Sequence, residues 1–189
     1  MAKVGIKGLT YAAAAGGSES AMTYTQGKKH ADLMVRANVT IDREDISQYA
    51  DNHRIEHANG VTGGSVEIEL ARMPDAIKTD LLGYTSDSGL VLTEDETPYM
   101  GFGYISKEIN NGAANYIGRW YYKAQFGMNS YSDETKGEQT AFGTDTITAT
   151  LMGVSLTTGG KIRYLIETAS TNEATVRSWL NTQAGITGT

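Results

Sequence analysis

The sequence predicts a mainly β protein, sandwich-like or barrel-like, with one or two flanking α-helices. Apolar and polar residues alternate with period 2 over several stretches, which is the mark of a strand with one face buried. The composition agrees, with 22 Gly, 23 Thr and only 2 Pro among 189 residues. Only two short stretches carry helical spacing between recognisable start and stop residues. A chain of 20.3 kDa fits one domain, residues 1–189, with a core large enough to need no covalent staple.

In chain order, Lys3–Tyr11 is a weak strand candidate and the small residues at 12–20 read as a flexible N-terminal segment. Lys3 and Lys7 ahead of Leu9–Ala15 faintly suggest a secretion signal, but Gly5, Gly8 and Thr10 interrupt it and the apolar run is too short. Leu33–Asp42 alternates cleanly: Leu33, Val35, Ala37, Val39 and Ile41 fall on one face, expected inward. Arg36, Asn38 and Thr40 fall on the other. Ser65–Arg72 repeats the pattern, with Val66, Ile68 and Leu70 inward and Glu67 and Glu69 outward. Between these strands, residues 42–64 read as an extended polar loop, long enough that a function is expected of it.

Pro74–Leu82 reads as a helix, with Pro in the first turn, Asp75 at the positive dipole end and Gly83 as the stop. Tyr84–Thr97 reads as a loop. Strands follow at Tyr99–Ile109, Tyr116–Met128, Thr144–Met152 and Lys161–Thr168. Asn110-Asn111-Gly112 marks a hairpin, and Gly101 and Gly103 mark a bulge or a close backbone approach. Strict alternation over Tyr116–Met128 places Trp120, Tyr122 and Phe126 on one face. A second helix begins after Ser170 or Thr171, where Ser170-x-x-Glu173 forms a capping box and Val176, Trp179 and Leu180 an apolar stripe.

Several chemistries are excluded or weak. Zero cysteines remove disulfides, thiol nucleophiles and Cys-based zinc sites, and suit a reducing cytoplasm. A net charge of −6 opposes non-specific nucleic-acid coating, and no run of 18 apolar residues spans a membrane. His53-Arg54-Ile55-Glu56-His57 matches the H-x-x-E-H zinc-hydrolase pattern, but only one other histidine, His30, exists to complete a metal set. Thr157–Lys161 lacks the P-loop glycine spacing and the following Ser or Thr, and no serine sits in a nucleophile elbow. The aromatic run Trp120-Tyr121-Tyr122 offers an alternative reading as a monomeric carbohydrate-binding β-sandwich with an exposed platform. No catalytic residue, cofactor site or metal site emerges, which directs attention to interfaces.

The order of features resembles the major tail (tail tube) proteins of long-tailed, non-contractile bacteriophages. The matching pieces are Lys3-Val4-Gly5-Ile6-Lys7-Gly8-Leu9-Thr10-Tyr11-Ala12, Tyr49-Ala50-Asp51, and Gly64-Ser65-Val66-Glu67-Ile68-Glu69-Leu70. They continue with Met73-Pro74-Asp75, Asp80-Leu81-Leu82-Gly83, Tyr99-Met100-Gly101-Phe102-Gly103, Arg119-Trp120-Tyr121-Tyr122-Lys123, Thr146–Gly153 and a closing helix with Trp179. The resemblance implies a non-enzymatic virion subunit, assembled in the host cytoplasm, forming hexameric rings that stack into a tube. Such a tube holds a tape-measure protein, joins tail-tip and tail-terminator proteins, and later passes DNA without binding it specifically. It implies lumen-facing roles for Arg36, Asn38, Thr40, Glu67 and Glu69. It implies inter-ring contacts for Asp45, Tyr49, His53 and Arg54.

Overall fold

The computed structural model describes residues 2–18, 21–30, 33–50, 53–92, 96–130, 143–155 and 162–186, with the backbone alone at 16–18, 21, 46–50, 53–58 and 128–130. Twelve strands and two helices are described: β1 (Ala2–Ser18), β2 (Ala21–His30), β3 (Met34–Ala50), β4 (His53–Leu70), α1 (Asp75–Leu82), β5 (Thr85–Ser86), β6 (Leu90–Val91), β7 (Tyr99–Asn110), β8 (Ala113–Ser130), β9 (Asp145–Leu151), β10 (Val154–Ser155), β11 (Ile162–Arg163), β12 (Leu165–Ser170) and α2 (Glu173–Gln183). The mainly β architecture with two flanking helices is therefore present.

The main sheet is antiparallel, in the order β2-β1-β7-β8-β9-β4-β3. The long β8 is its spine. On one side it pairs with β7; on the other it pairs first with β12 over Tyr116–Tyr121 and then with β9 from Ala124 onward. The sheet therefore divides past Tyr121 and folds over. Leu9, Tyr11, Phe102 and Tyr104 from one half join Val66, Ile68, Leu70, Ile147 and Phe126 from the other in a single core, closed at one end by Ile77 and Leu81 of α1.

A second, smaller core lies on the opposite face, where Val176 and Leu180 of α2 pack on Ala12, Ile105, Trp120 and Tyr122. Glycines make room for it. A Cβ on Gly103 would lie 2.3 Å from the Arg119 carbonyl oxygen and 2.8 Å from Leu180, and one on Gly118 would lie 2.7 Å from Val176. The close approach expected at Gly101 and Gly103 is real: at Gly101 the obstructing atoms belong to Tyr24 and Trp120.

Local signals place the turns and caps. Asn111 (φ 48°) and Gly112 (φ 80°) occupy the left-handed region in the β7–β8 hairpin, as a primed turn requires. α1 runs from Asp75, with Pro74 before it and Gly83 (φ 70°) ending it. α2 is capped by Asn172, whose Oδ1 accepts from the Ala174 amide at 2.9 Å, rather than by the expected box at Ser170. Ser170 Oγ instead accepts from the Asn172 amide, which tightens the turn into the helix. Asn172→Ala is expected to lower stability by about 1 kcal/mol, read as a smaller urea midpoint at unchanged slope.

Several expectations need correction. The segment at 12–20 is strand as far as Ser18, and Ala12 is fully buried in the core beneath α2; residues 19 and 20 lie outside the described residues. β2 was not expected at all. Residues 42–64 are the outer halves of β3 and β4, paired from Asp42↔Gly63 to Ala50↔His53 with register shifts after Asp42 and after Gln48, and with 51 and 52 outside the described residues. That arm is polar because it stands beyond the core, so burial imposes no alternation on it, while its pairing is a backbone matter. Strict alternation along β8 also fails. Two residues, Tyr122 and Lys123, stand opposite Gly101 alone, and the one extra residue of this bulge sends Phe126 into the main core with Tyr121 while Trp120 and Tyr122 face α2. Lys161–Thr168 is not one strand, since β11 and β12 are separated at Tyr164 and Lys161 lies outside the described residues. Within Tyr84–Thr97, β5 and β6 form a minimal hairpin.

Candidate interface: a polar sheet face and a projecting arm

The five residues Arg36, Asn38, Thr40, Glu67 and Glu69 fall on one face of the sheet. Directly opposed residues of an antiparallel pair point to the same side, and the register sets Arg36 against Glu69, Asn38 against Glu67 and Thr40 against Ser65. It continues through β9, with Glu69 opposite Thr146, Glu67 opposite Thr148 and Ser65 opposite Thr150, and on to Gln125 of β8. The opposite side chains of β4 and β9, Val66, Ile68, Leu70, Ile147, Ala149 and Leu151, are buried. Core packing on one side thus aligns a band of hydroxyls, amides and carboxylates on the other.

The charges on this band are paired. Arg36 Nε lies 3.2 Å from Glu69 Oε2 and its Nη2 3.8 Å from Glu67 Oε1. Asn38 Nδ2 donates to Glu67 Oε1 at 3.3 Å, and Thr144 Oγ1 donates to Glu69 Oε1 at 2.8 Å. One cation between two carboxylates leaves the band slightly negative. Solvent-exposed pairs of this kind add little stability; their effect here is to leave a passing anion no unpaired cation.

The expected inward face of β3 is covered only in part, with Ala37 half-buried against the main core. Leu33 is buried, but Val35, Val39 and Ile41 are 48, 40 and 39 % exposed. β3 is the last strand of the sheet, and these residues form one wall of an open cleft of about 660 Å³. Ile6, Tyr104, Tyr121 and Arg119 line the other side. Arg119 donates to Glu167 at 2.6 Å and to Ser106 at 2.8 Å. Burial is the largest influence and opposes its charge, but the Glu167 hydrogen bond together with the charges of Tyr104, Glu167 and Tyr121 outweighs it and raises the pKa. The Tyr104 and Tyr121 hydroxyls lie 3.3 Å apart; burial, then Tyr104, hold the Tyr121 phenol far above its ordinary range.

Of the expected contact residues outside the body, Asp45 lies exposed on the β3 side of the arm, with Asn59 opposite it. Tyr49 and Arg54 are opposed across the two strands, and His53 is opposed to Ala50. The H-x-x-E-H segment is therefore on a strand. There, residues four apart are separated by about 13 Å, too far for His53 and His57 to share one metal as they would on a helix. Among the described residues, no group of three His, Asp or Glu could hold a metal ion. Trp120 and Tyr121 are fully buried and Tyr122 nearly so, which removes the exposed aromatic platform of a carbohydrate module.

One polar cluster escaped sequence reasoning. The Tyr11 hydroxyl donates to Asp80 Oδ2 at 2.9 Å, His30 Nε2 lies 3.1 Å from the same hydroxyl, and Lys28 donates to Asp80 at 2.6 Å. Burial, reinforced by Asp80, keeps the Tyr11 phenol protonated, and burial lowers the His30 pKa. The cluster ties β1 and β2 to α1. His30 and Asp80 lie 19 and 69 residues from Tyr11, and Lys28 joins only through Asp80, so no local pattern signals the cluster.

No protein-family model matches the chain, and a search of curated proteins finds no match. Among the described residues no helix is long and apolar enough to cross a membrane.

Proposed function

We propose that the protein is a structural subunit of a phage-type tail tube. Copies form rings, the rings stack, and the polar band of β3, β4, β9 and β8 lines the channel. The observation that carries this reading is the β3–β4 arm. β9 supports β4 only over Gly64–Leu70, and Tyr164 reaches the base of the arm at the Val61 carbonyl. Beyond that point, among the described residues, the two strands pair only with each other across about 25 Å. An isolated two-stranded ribbon is marginal in water, so an arm of this length is explained by a surface on another molecule.

Two further features support the reading. Among the described residues the sheet ends at β2 and β3, and each offers a strand edge that a neighbouring copy can use. A head-to-tail contact of that type closes into a ring, and the same ring stacked on itself is open-ended. The band between them has its cation paired, which suits a conduit through which DNA passes without sticking. In this role the partners are further copies of the chain, a tape-measure protein in the lumen, and the tail-tip and terminator proteins. The working site is the virion.

Negative-stain electron microscopy of the purified protein across a concentration series tests this. Rings at low concentration and hollow tubes at high concentration are expected. A featureless monomer throughout, even with tail-tip complex added as initiator, would rule the reading out.

A further inference from the structure

The geometry points to an acid-sensitive latch on the edge strand β2: the cluster of His30, Tyr11, Asp80 and Lys28 holds one end of the strand against α1 while His30 is neutral, and releases it when His30 takes up a proton. The effect on assembly rests on the tube reading, in which β2 is one of the edges offered to a neighbouring copy.

The two ends of β2 are tied down differently. Toward its start, Tyr24 meets Trp120 edge-on and donates to the Tyr122 carbonyl at 2.7 Å. Gly27 lies so close to the chain leaving α2 that a Cβ there would come within 2.4 Å of the Ala184 carbonyl oxygen. None of these groups changes charge between pH 5 and 8. Toward its other end, the rungs from Tyr11↔Lys28 to Leu9↔His30 bring polar side chains of β2 to α1. The single Tyr11 hydroxyl proton goes to the Asp80 carboxylate, so the 3.1 Å contact with His30 requires Nε2 to carry a proton and donate it to the Tyr11 oxygen. Donation therefore runs from His30 to Tyr11 to Asp80, and the neutral imidazole has its one proton on Nε2. The same ring stacks on Tyr11, 16° from parallel with centroids 5.6 Å apart.

A second proton on that imidazole is poorly received. Among the described residues, the charged groups around it are Lys28 and Lys29 of β2, Arg72 after β4, Asp80 of α1 and Arg177 of α2. Asp80 is the one carboxylate of this set, and its charge is already met by Lys28. Glu173, which holds Arg177, is shared with Lys7. No net negative charge is left for an imidazolium; Asp32, two positions on, lies outside the described residues. Burial has the largest effect and lowers the His30 pKa; Asp80 opposes it, while Lys28 and Arg72 add to it. With a folded pKa below the unfolded value of about 6.5, the end of β2 is fully held above that pH, and the hold is lost as pH falls through the folded value. The opening is local, because the Tyr24 end keeps its apolar anchor.

The test compares the full wild-type chain with His30→Gln and with the double variant His53→Gln/His57→Gln, at about pH 7.5 and about pH 5.5, either side of the ordinary imidazole pKa. Gln keeps an N–H able to donate to Tyr11 but does not titrate, and the double variant removes the other two histidines. Between the two pH values, wild type and the double variant are expected to lose about 2–4 °C more of thermal midpoint than His30→Gln. At the acid pH, amide exchange should be faster in wild type than in His30→Gln at residues 28–30 and equal at residues 23–25. Equal pH profiles for wild type and His30→Gln overturn the inference. Below the assembly concentration, the one imidazole resonance left in the double variant belongs to His30 and is expected to titrate below about 6.5. Titration at or above that value overturns the inference, and this readout stands even if His30→Gln fails to fold. In electron micrographs, wild-type tubes formed at pH about 7.5 should be lost at about 5.5 and kept by His30→Gln. Wild-type tubes equally abundant at both overturn the inference and leave the tube reading intact. Tubes from no chain at either pH overturn the tube reading, while the midpoints and the resonance still decide the latch.

Discussion

Replacing residues 45–59 with Asn-Gly is expected to abolish tube formation while leaving the subunit folded. Glu44 and Gly60 are directly opposed, so the cut falls on an existing rung and the new two-residue turn matches the twist of the flanking strands. Among the residues whose side chains are described, none of the buried core lies in the deleted stretch. The thermal midpoint should therefore move by no more than about 4 °C, the shift that about 1 kcal/mol gives at this size. Rings should persist if the sheet edges alone hold them, and stacked tubes should vanish from electron micrographs at every concentration. Tubes of normal length from the shortened chain would show that the arm is dispensable, and the proposed role would lose its main support.

Trp120→Ala should be the most destabilising single substitution in the smaller core. The side chain is fully buried, meets Tyr24 edge-on with ring centroids 5.2 Å apart, and lies against Gly101 and Gly103, where no other side chain can fill in. Aromatic-to-alanine changes in such settings cost about 3–5 kcal/mol. Because Trp120 packs with Val176 and Leu180, the loss should appear first at α2, as faster amide exchange in Glu173–Gln183 than in β4 or β9. A urea-determined loss below about 1 kcal/mol would mean that α2 does not depend on this contact.

Legibility in the sequence followed burial. Val66, Ile68 and Leu70 alternate because one face of β4 meets the core, and their placement was readable from the chain alone. The same held for α1 and for the Asn111-Gly112 turn, where proline and glycine or a left-handed backbone leave a local trace. α2 was readable from its apolar stripe, although its cap lies two residues beyond the expected one. The arm and β2 were not readable. They are held by backbone pairing at the margin of the sheet, where no buried face enforces a pattern. The bulge at Tyr122–Lys123 was hidden for another reason: it depends on the register against β7, a non-local property.

The polar band was legible as a set of residues, since Arg36, Asn38, Thr40, Glu67 and Glu69 share parity on two readable strands. Its width was not, because Thr146, Thr148 and Thr150 join it only through the β4–β9 register. The same alternation misled at β3. Val35, Val39 and Ile41 carry the pattern of an inward face, yet the fold leaves them open at the end of the sheet. The proposed interface between copies would account for a pattern of burial without burial in the single chain.

The long pairing of β3 with β4 also has a mechanical meaning. Hydrogen bonds between antiparallel strands lie perpendicular to the strand axis. A tension applied to the arm along its length therefore runs down both backbones, and where β3 hands its share to the anchored part of β4 it loads the rungs from Met34↔Leu70 to Ile41↔Gly64 in shear, rather than peeling them one after another. The load then passes through β9 into β8 and both cores. In a tube whose arms run near its axis, such a joint would be stiff against stretching and would yield more readily to bending, as a long flexible conduit requires.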